Sequence, residues 1–422
     1  RIGLMAGFIM VFLPLSVGWN RFVFEGNFGT VFFLMGVIFF TKALKIQSFL
    51  PLSVFFFGLS MVSYHIFLVT TPIYILLLFI FFCKRNWERK YIGLTLFIGT
   101  IFLIWALGSI YTGSGRQRFK QASVLITQAN VDVLNNQIGY CQVYTSPLIC
   151  RLVLNRYSVI TSNYIQNYLS HFSLEYLGFN GTFLRQNILP KSGLMGVLPA
   201  VLLYLGVFLL LTKRTISKKI ILLAWLFIYP LANSFTGIGE ISRVAFAAPI
   251  LSVVAAFGLN GLVGWRFAPT KILLSLLFFI LTLGFLIQYF IIFPKTNAYY
   301  TNFGYDKVYE YIRLNMTKYD RFLISKNYSG SVPYISAMFF LPVDPNDFQN
   351  GHVTRVQDSM NYFVTTKIGG MYFYQKLSDY SVKENDFIVA TPEELPAFVP
   401  YKFKVTDPVG RILLLGVEGK NL

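Results

Sequence analysis

Five side chains in the polar segments of this chain combine hydrogen-bonding capacity or charge with positions next to long apolar runs. They are Arg21, His65, His171, Arg185 and Arg243. A guanidinium binds a phosphate group through two parallel hydrogen bonds, which an ammonium cannot do, and a histidine ring can donate to the same kind of anion. Carboxylates are scarce here, because only Glu25 and Glu240 lie near the ends of the adjoining runs. The residue types therefore favour a site for an anionic group.

The arginines and glutamates also have purely structural explanations. Arg21 lies four residues before Glu25, and such an i,i+4 pair on a helix is worth roughly 0.2–0.5 kcal/mol. Arg243 stands at the start of an apolar run, where a long basic side chain can extend towards the membrane surface without binding a ligand. Glu25 and Glu240 could each pair with the neighbouring arginine instead of accepting a proton. From the sequence, both explanations stay open.

The histidines are ambiguous in the same way. His65 could pack in a tight turn or bind a ligand, and His171 could donate to a phosphate or satisfy a buried backbone carbonyl. No cluster of His and Cys residues accompanies them, and acids are few in the same segments. We therefore predict no metal site and no cofactor.

Nine apolar runs must hold these residues in place, and none has Asp, Glu, Lys or Arg in its interior. A helix needs about 20 apolar residues to span a bilayer, and most of the runs approach that length. With 55% hydrophobic and 13% charged residues, the chain is too apolar for an average soluble protein. The sequence predicts a polytopic α-helical membrane protein with about nine spans. The runs are Ile2–Val17, Phe28–Thr41, Gln47–Tyr64, Ile66–Cys83, Tyr91–Thr112, Leu194–Thr212, Ile220–Thr236, Val244–Trp265 and Ile272–Phe293.

Loop charges predict the orientation of these runs, because short loops rich in Lys and Arg stay in the cytoplasm. One alternation places the basic loops around Lys45, Arg85, Lys213 and Arg266 on one face, which we assign to the cytoplasm. The five candidate residues and everything after Pro294 then lie on the outer face. Basic residues outnumber acids there, which indicates an anionic partner or ordinary anionic lipid headgroups. Nucleic acid is not expected on that side.

The charge pattern divides the chain into a membrane bundle, residues 1–294, and an extracytoplasmic domain, residues 295–422. The bundle includes an outer loop, residues 113–193, that is too long for a simple connection, and we expect it to fold onto the membrane. Tyr157–Phe172 has the composition of an interfacial helix. Cys141 and Cys150 lie in this loop, where oxidation is permitted, and a disulfide between them is a hypothesis.

Residues 295–422 have the pattern of a soluble α/β domain, and no glycine-rich phosphate loop is present. Asp344 and Asp347 read as turn residues beside a proline. Helical spacing alternates with short buried apolar runs and with turn signals. The predicted elements are a helix at Asp306–Lys318, a strand at Arg321–Ser325, a helix at Val332–Leu341, a strand at Asp386–Ala390, a helical turn at Pro392–Phe398 opened by Thr391, and a hairpin of Tyr401–Thr406 with Arg411–Gly416.

Several short motifs lie in the outer segments, namely Ser16–Asn27, Ser63–His65, Asn167–Gly181 followed by Arg185, Pro190 and Gly193, Glu240–Arg243 with Pro249, and Ala255–Gly258. In order and outer-face placement these motifs resemble those of bacterial protein-O-mannosyltransferase-like enzymes of the GT-C glycosyltransferase superfamily. Each motif alone is weak, but together they match across most of the chain. The sequence departs from the pattern at Val17, where the family has proline, and at Thr182, where it has aspartate.

The resemblance implies a GT-C-like bundle that moves a sugar from a polyprenyl-phosphate carrier to an acceptor hydroxyl at the outer membrane face. Arg21, Arg185 and Arg243, with His65 and His171, would then bind the donor. Members of the superfamily carry a catalytic aspartate on the first outer loop, and no such motif occurs here, so we expect that residue upstream of Arg1. Glu25 and Glu240 are weaker candidates for the base.

The implied partners are a polyprenyl-phosphate-linked sugar, membrane lipids and an acceptor, protein or glycan, that the sequence does not identify. Two other classes of function stay open. A lipid or glycan transporter is less favoured because ion-coupled transport usually needs ionisable groups inside the spans, and the runs have none. A non-catalytic membrane scaffold that presents the C-terminal domain outside is opposed only by the motifs.

Overall fold

The structure, a computed structural model, describes residues 1–21, 24–82, 87–111, 128–180, 190, 192–212, 219–235, 241–263, 268–328, 332–350, 353–357 and 363–422. The chain forms two compact units. The first, the bundle unit, extends to Phe285, and the second, the sheet unit, comprises Leu286–Leu422. The division falls inside the last apolar helix, whereas the sequence places the domain boundary near Pro294.

The bundle unit is helical, and a helix coincides with each of the nine apolar runs. Four stretches are long and apolar enough to cross a membrane, namely Glu25–Ala43, Arg89–Tyr111, Ala245–Val263 and Lys271–Thr296, and the other five helices have 10–17 residues. The helices are α1 (Ile2–Phe12), α2 (Pro14–Trp19), α3 (Glu25–Ala43), α4 (Phe49–Ser63), α5 (Phe67–Phe82), α6 (Arg89–Tyr111), α7 (Gln128–Tyr144), α8 (Pro147–Val153), α9 (Arg156–Ser170), α10 (Val197–Thr212), α11 (Lys219–Asn233), α12 (Ile241–Val244), α13 (Ala248–Val263) and α14 (Ala268–Ile287).

The first apolar run is not one helix, contrary to the predicted continuous segment Ile2–Val17. It breaks at Leu13, whose backbone is extended with φ −63° and ψ 131°. Pro14 causes the break, because its ring disfavours a helical residue before it and it has no N–H to donate to the preceding turn. A separate short helix, α2, therefore starts at Pro14 and contains the Ser-Val-Gly-Trp segment.

Small residues let the helices of the bundle approach closely. A methyl group on Gly258 of α13 would lie 2.0 Å from the carbonyl oxygen of Leu202 on α10, and one on Gly206 would lie 1.9 Å from that of Val254. Backbone contact of this kind is a common way for apolar helices to associate, because lipid competes with burial of larger side chains. Glycine is therefore required at both positions.

The described part of the outer loop contains three helices and one π-helical turn, Glu175–Phe179. Cys141 of α7 and Cys150 of α8 form a disulfide, as the sequence hypothesis proposed. Helix α9 covers most of the segment predicted as an interfacial helix. It lies along the end of α11, where Tyr164 Oη donates to Leu231 O at 3.1 Å and Tyr168 Oη donates to Phe227 O at 2.8 Å.

The sheet unit contains a seven-stranded mixed sheet in the order β2-β3-β4-β1-β5-β7-β6. Central β1 is parallel to β4 and β5, and the other neighbouring strands are antiparallel. The strands are β1 (Arg321–Ser325), β2 (Val353–Gln357), β3 (Phe363–Ile368), β4 (Met371–Tyr374), β5 (Asp386–Ala390), β6 (Phe403–Thr406) and β7 (Ile412–Glu418), and the helices are α15 (Phe293–Thr296), α16 (Tyr305–Leu314), α17 (Pro333–Phe340) and α18 (Pro345–Gln349).

The larger core of the sheet unit lies under α16 and α17. Side chains alternate along β1, so that Phe322 and Ile324 enter this core while Leu323 faces a smaller cluster on the opposite side. The predicted strands β1 and β5, the closing hairpin and the Thr391 cap are confirmed. Asp344 also has its expected local role, because its side chain caps α18 by accepting from the Asn346 N–H at 2.8 Å.

Candidate functional site

Loops that the sequence places on the same side of the membrane lie together in the bundle unit. At one end, the Leu15 N–H donates to Leu194 O at 3.0 Å, and the rings of Phe24 and Tyr64 are 5.0 Å apart. We call this the Arg21 end. At the other, the Gln47 end, the Glu88 N–H donates to Gln47 Oε1 at 2.8 Å.

Helix α2 places two hydrogen-bond donors without partners at the Arg21 end. Ser16 and Trp19 are only 6% and 5% exposed, yet neither Ser16 Oγ nor Trp19 Nε1 has a hydrogen-bond partner. They are three residues apart on a helix and so project from the same side. Buried polar groups are nearly always paired, so two orphans on one short helix require an explanation.

The segment that carries Arg243 lies directly beside α2. Helix α12 and the following turn, Ala245–Ala247, approach α2 as well as the end of α11. The backbone of this segment is fixed by Val244 and Phe246, which are buried, and the Phe246 ring lies 5.1 Å from that of Phe67. Arg243 itself is half-buried, and among the described residues no hydrogen bond or ion pair of its side chain occurs. The fold thus holds the segment that carries Arg243 next to the helix with the orphan donors.

Arg21 follows α2 by two residues and is exposed, as is Glu25 in the first turn of α3. The segment between α2 and α3 is held by Phe24, whose ring is 4.7 Å from that of Trp19. None of the ion pairs among the described residues includes Glu25. The structure therefore brings Arg21 and Arg243 to adjoining segments.

His65 is exposed at the Arg21 end, in the turn between α4 and α5. Its ring lies 4.2 Å from that of Tyr64, in an edge-to-face arrangement. Because Tyr64 also contacts Phe24, a chain of aromatic contacts links His65 to Trp19 and so to α2. This position is compatible with both alternatives that the sequence left open, packing in a turn and contact with a ligand.

His171 is fully buried, and both of its ring nitrogens have protein partners. Nδ1 lies 2.7 Å from Asn167 O, which can only accept, so Nδ1 carries the hydrogen and Nε2 accepts from Asn233 Nδ2 at 2.8 Å. Burial lowers the pKa of His171 to about 4, although the hydrogen bond to Asn167 O opposes the change. The ring is therefore neutral at pH 7. This geometry favours the structural explanation, in which His171 joins α9 to α11.

Two of the predicted residues, Arg185 and Glu240, lie outside the described residues. In the described part of the chain, no group of three or more His, Cys, Asp or Glu residues is arranged to hold a metal ion. Sequence reasoning did not select Ser16 and Trp19 as site residues. Both stand in the Ser-Val-Gly-Trp motif, which marked the segment, but their burial without partners depends on the break at Pro14 and on the helices that surround α2.

Comparison of the chain with protein-family models, with curated proteins and with solved structures gives no match.

Proposed function

We propose that this protein is a membrane glycosyltransferase that moves a sugar from a polyprenyl-phosphate carrier to an acceptor hydroxyl at the outer face of the membrane. The observation that carries the proposal is the packing of α12 beside α2. It places the segment that carries half-buried Arg243 beside the helix that holds two buried donors, Ser16 Oγ and Trp19 Nε1, which lack protein partners. A phosphate with its attached sugar supplies acceptors for all three.

The proposed reaction forms a bond between the acceptor oxygen and the anomeric carbon of the sugar, and it breaks the bond from that carbon to the phosphate oxygen. The acceptor proton passes to a carboxylate, and the polyprenyl phosphate leaves with an added negative charge. Arg243 and Arg21 would stabilise that charge, and guanidinium groups suit the task because they bind phosphate through two hydrogen bonds. Glu25, exposed at the same end, and Glu240 remain weaker candidates for the base.

The proposal includes nine crossings, with the Arg21 end and the C-terminal domain outside the cytoplasm. The disulfide between Cys141 and Cys150 supports this orientation, because disulfides persist in oxidising compartments. Cysteine introduced at exposed Ser378 should react in intact cells with a maleimide that cannot cross the membrane. Cysteine at exposed Lys45, near the Gln47 end, should react only after the cells are opened. The reverse pattern would invert the topology.

Binding of polyprenyl phosphate to the full chain in nanodiscs tests the site. We expect Arg243→Ala to weaken binding by about 30-fold, because the variant loses a charge-assisted hydrogen bond worth about 2 kcal/mol. Arg243→Lys should not restore the affinity, since an ammonium lacks the two-pronged geometry. Arg89→Ala, at the Gln47 end, is the matched control, and polyprenol is the control ligand without phosphate.

Equal affinity for polyprenyl phosphate and polyprenol, or unchanged binding by Arg243→Ala, would contradict the phosphate site. Transfer is tested separately, by the release of polyprenyl phosphate from a polyprenyl-phosphate sugar in membranes that contain the acceptor. A transporter would move this lipid without consuming it, and a scaffold would not bind it specifically.

A further inference from the structure

The hairpin of α7 and α8 exposes an apolar surface that no other part of the described chain covers. Seven large apolar or aromatic side chains between residues 140 and 153 are 51% to 88% exposed. We call them the hairpin surface, and they are Tyr140, Val143, Tyr144, Leu148, Ile149, Leu152 and Val153.

The residues of the hairpin surface are grouped by the helical repeat. Tyr140, Val143 and Tyr144 are three and four residues apart, so they share one side of α7. Leu148 and Leu152 are related in the same way on α8. The disulfide between Cys141 and the fully buried Cys150 joins the two helices, so their apolar sides are presented by a single unit.

The charge around this surface indicates what covers it. No Asp or Glu occurs between Asp132 and Glu175, whereas Arg151 and Arg156 are exposed there. Tyrosine and arginine beside exposed aliphatic residues match the boundary between lipid headgroups and acyl chains, where anionic headgroups attract arginine. Helix α9 differs, because its Tyr164 and Tyr168 hydroxyls bind carbonyls of α11.

We propose that the Cys141–Cys150 hairpin is a membrane anchor that does not span the bilayer, and that the hairpin surface lies among lipid acyl chains at the outer leaflet. The anchor would fix the outer loop on the membrane beside the bundle. It does not depend on the proposed transferase activity, since it rests on the exposed apolar residues, the disulfide and the charge.

Fluorescence quenching in nanodiscs tests the anchor. Tyr144→Trp places a tryptophan on the hairpin surface, and Gln142→Trp places one on the opposite side of α7, where Gln142 is also exposed. Brominated acyl chains should quench the added emission of Tyr144→Trp at least about threefold more than that of Gln142→Trp, because an interfacial helix buries only its apolar side. Aqueous iodide should show the opposite order. The unsubstituted chain supplies the background from its five tryptophans.

Formation of the disulfide, measured by alkylation with and without reductant, establishes that the hairpin is folded in both variants. Equal quenching of the two positions by brominated lipid would overturn the anchor. Quenching of Tyr144→Trp by neither lipid nor iodide would also overturn it, because the surface would then be covered by a protein partner or a second copy of the chain. Cys141→Ser with Cys150→Ser should reduce the difference between the positions, since the helices would no longer be held together.

Discussion

Among the described residues, each buried carboxylate of the sheet unit is held by a cation, whereas several buried polar atoms of the bundle unit have no hydrogen-bond partner. Asp386 and Asp407 pair with Arg321 and Arg411, and Glu418 is surrounded by three lysines. Among the described residues, six buried side-chain polar atoms have no hydrogen-bond partner, and only the Tyr374 hydroxyl belongs to the sheet unit. The other five are Ser16 Oγ, Trp19 Nε1, Thr95 Oγ1, Tyr176 Oη and Trp225 Nε1.

This difference separates polar groups that the fold explains from those that it does not. Removing a paired group from the sheet unit should destabilise it, because the partner would be left buried and unsatisfied. No hydrogen bond in the described fold offsets the desolvation of the orphan donors of α2, which is why the proposed ligand site includes them. The following predictions test whether polar pairing holds the sheet unit and apolar contact holds the bundle.

The largest effect is expected for Asp386→Ala in the sheet unit. Asp386 is fully buried and accepts from Arg321 Nε at 2.9 Å, from Arg321 Nη2 at 2.5 Å and from the Lys383 N–H at 2.7 Å. Its loss leaves the guanidinium without a counterion, so we expect a cost of about 4 kcal/mol. Amide exchange of β1 and β5 in the full chain measures it. Asp320→Ala, an exposed neighbour, should change stability by less than about 0.5 kcal/mol. If both variants change the stability by a similar small amount, the buried ion pair does not stabilise the sheet unit and the contrast between the two units fails.

A smaller effect is expected for Gly258→Leu in the bundle unit. The added side chain would push against the carbonyl of Leu202, and overpacking of this kind costs about 3 kcal/mol. Thermal unfolding in detergent should therefore occur at a lower temperature. Gly284→Leu on α14 is the matched control, because a Cβ there meets nothing within 4 Å. If both variants unfold alike, close helix contact does not stabilise the bundle.

The same contrast explains how much of the fold the sequence predicted. The apolar runs are long and uninterrupted, and β1 and β5 are short runs with at least four of their five residues buried, so composition alone identifies them. Strand β2 was missed because four of its five residues are exposed, which leaves no pattern to detect. The hairpin of β3 and β4 had a signal that was not used, since Gly369-Gly370 between Ile368 and Met371 is typical of a two-residue turn.

The candidate site was predicted only in part. Arg21 and Arg243 could be selected from the sequence, because charged residues are rare in such a chain and both lie near the ends of apolar runs. The proximity of α2 and α12 could not be inferred, since it depends on contacts between segments far apart in the sequence. Whether a buried polar group has a hydrogen-bond partner depends on the same contacts. Residue type alone therefore could not show that His171 has partners and that Ser16 Oγ has none.

The smallest effect at neutral pH concerns His171, the polar residue that does hold part of the bundle together. Its pKa is about 4 in the folded chain, below the ordinary value of about 6.5, so the unfolded state binds a proton first as the pH falls. The stability that neutral His171 contributes is therefore present above pH ~6.5 and is lost as the pH falls towards ~4. Over that range the equilibrium constant for opening should rise by up to about tenfold per pH unit.

Amide exchange of α9, corrected for intrinsic rates, should reveal this loss. His171→Gln should remove the pH dependence, and His65→Gln should retain it because His65 is exposed. If the pH dependence of exchange is unchanged in His171→Gln and the variant binds polyprenyl phosphate more weakly, His171 is instead a ligand residue. His171 would then belong with the orphan donors of α2 and not with the polar groups that hold the fold, and the contrast with the sheet unit would become sharper.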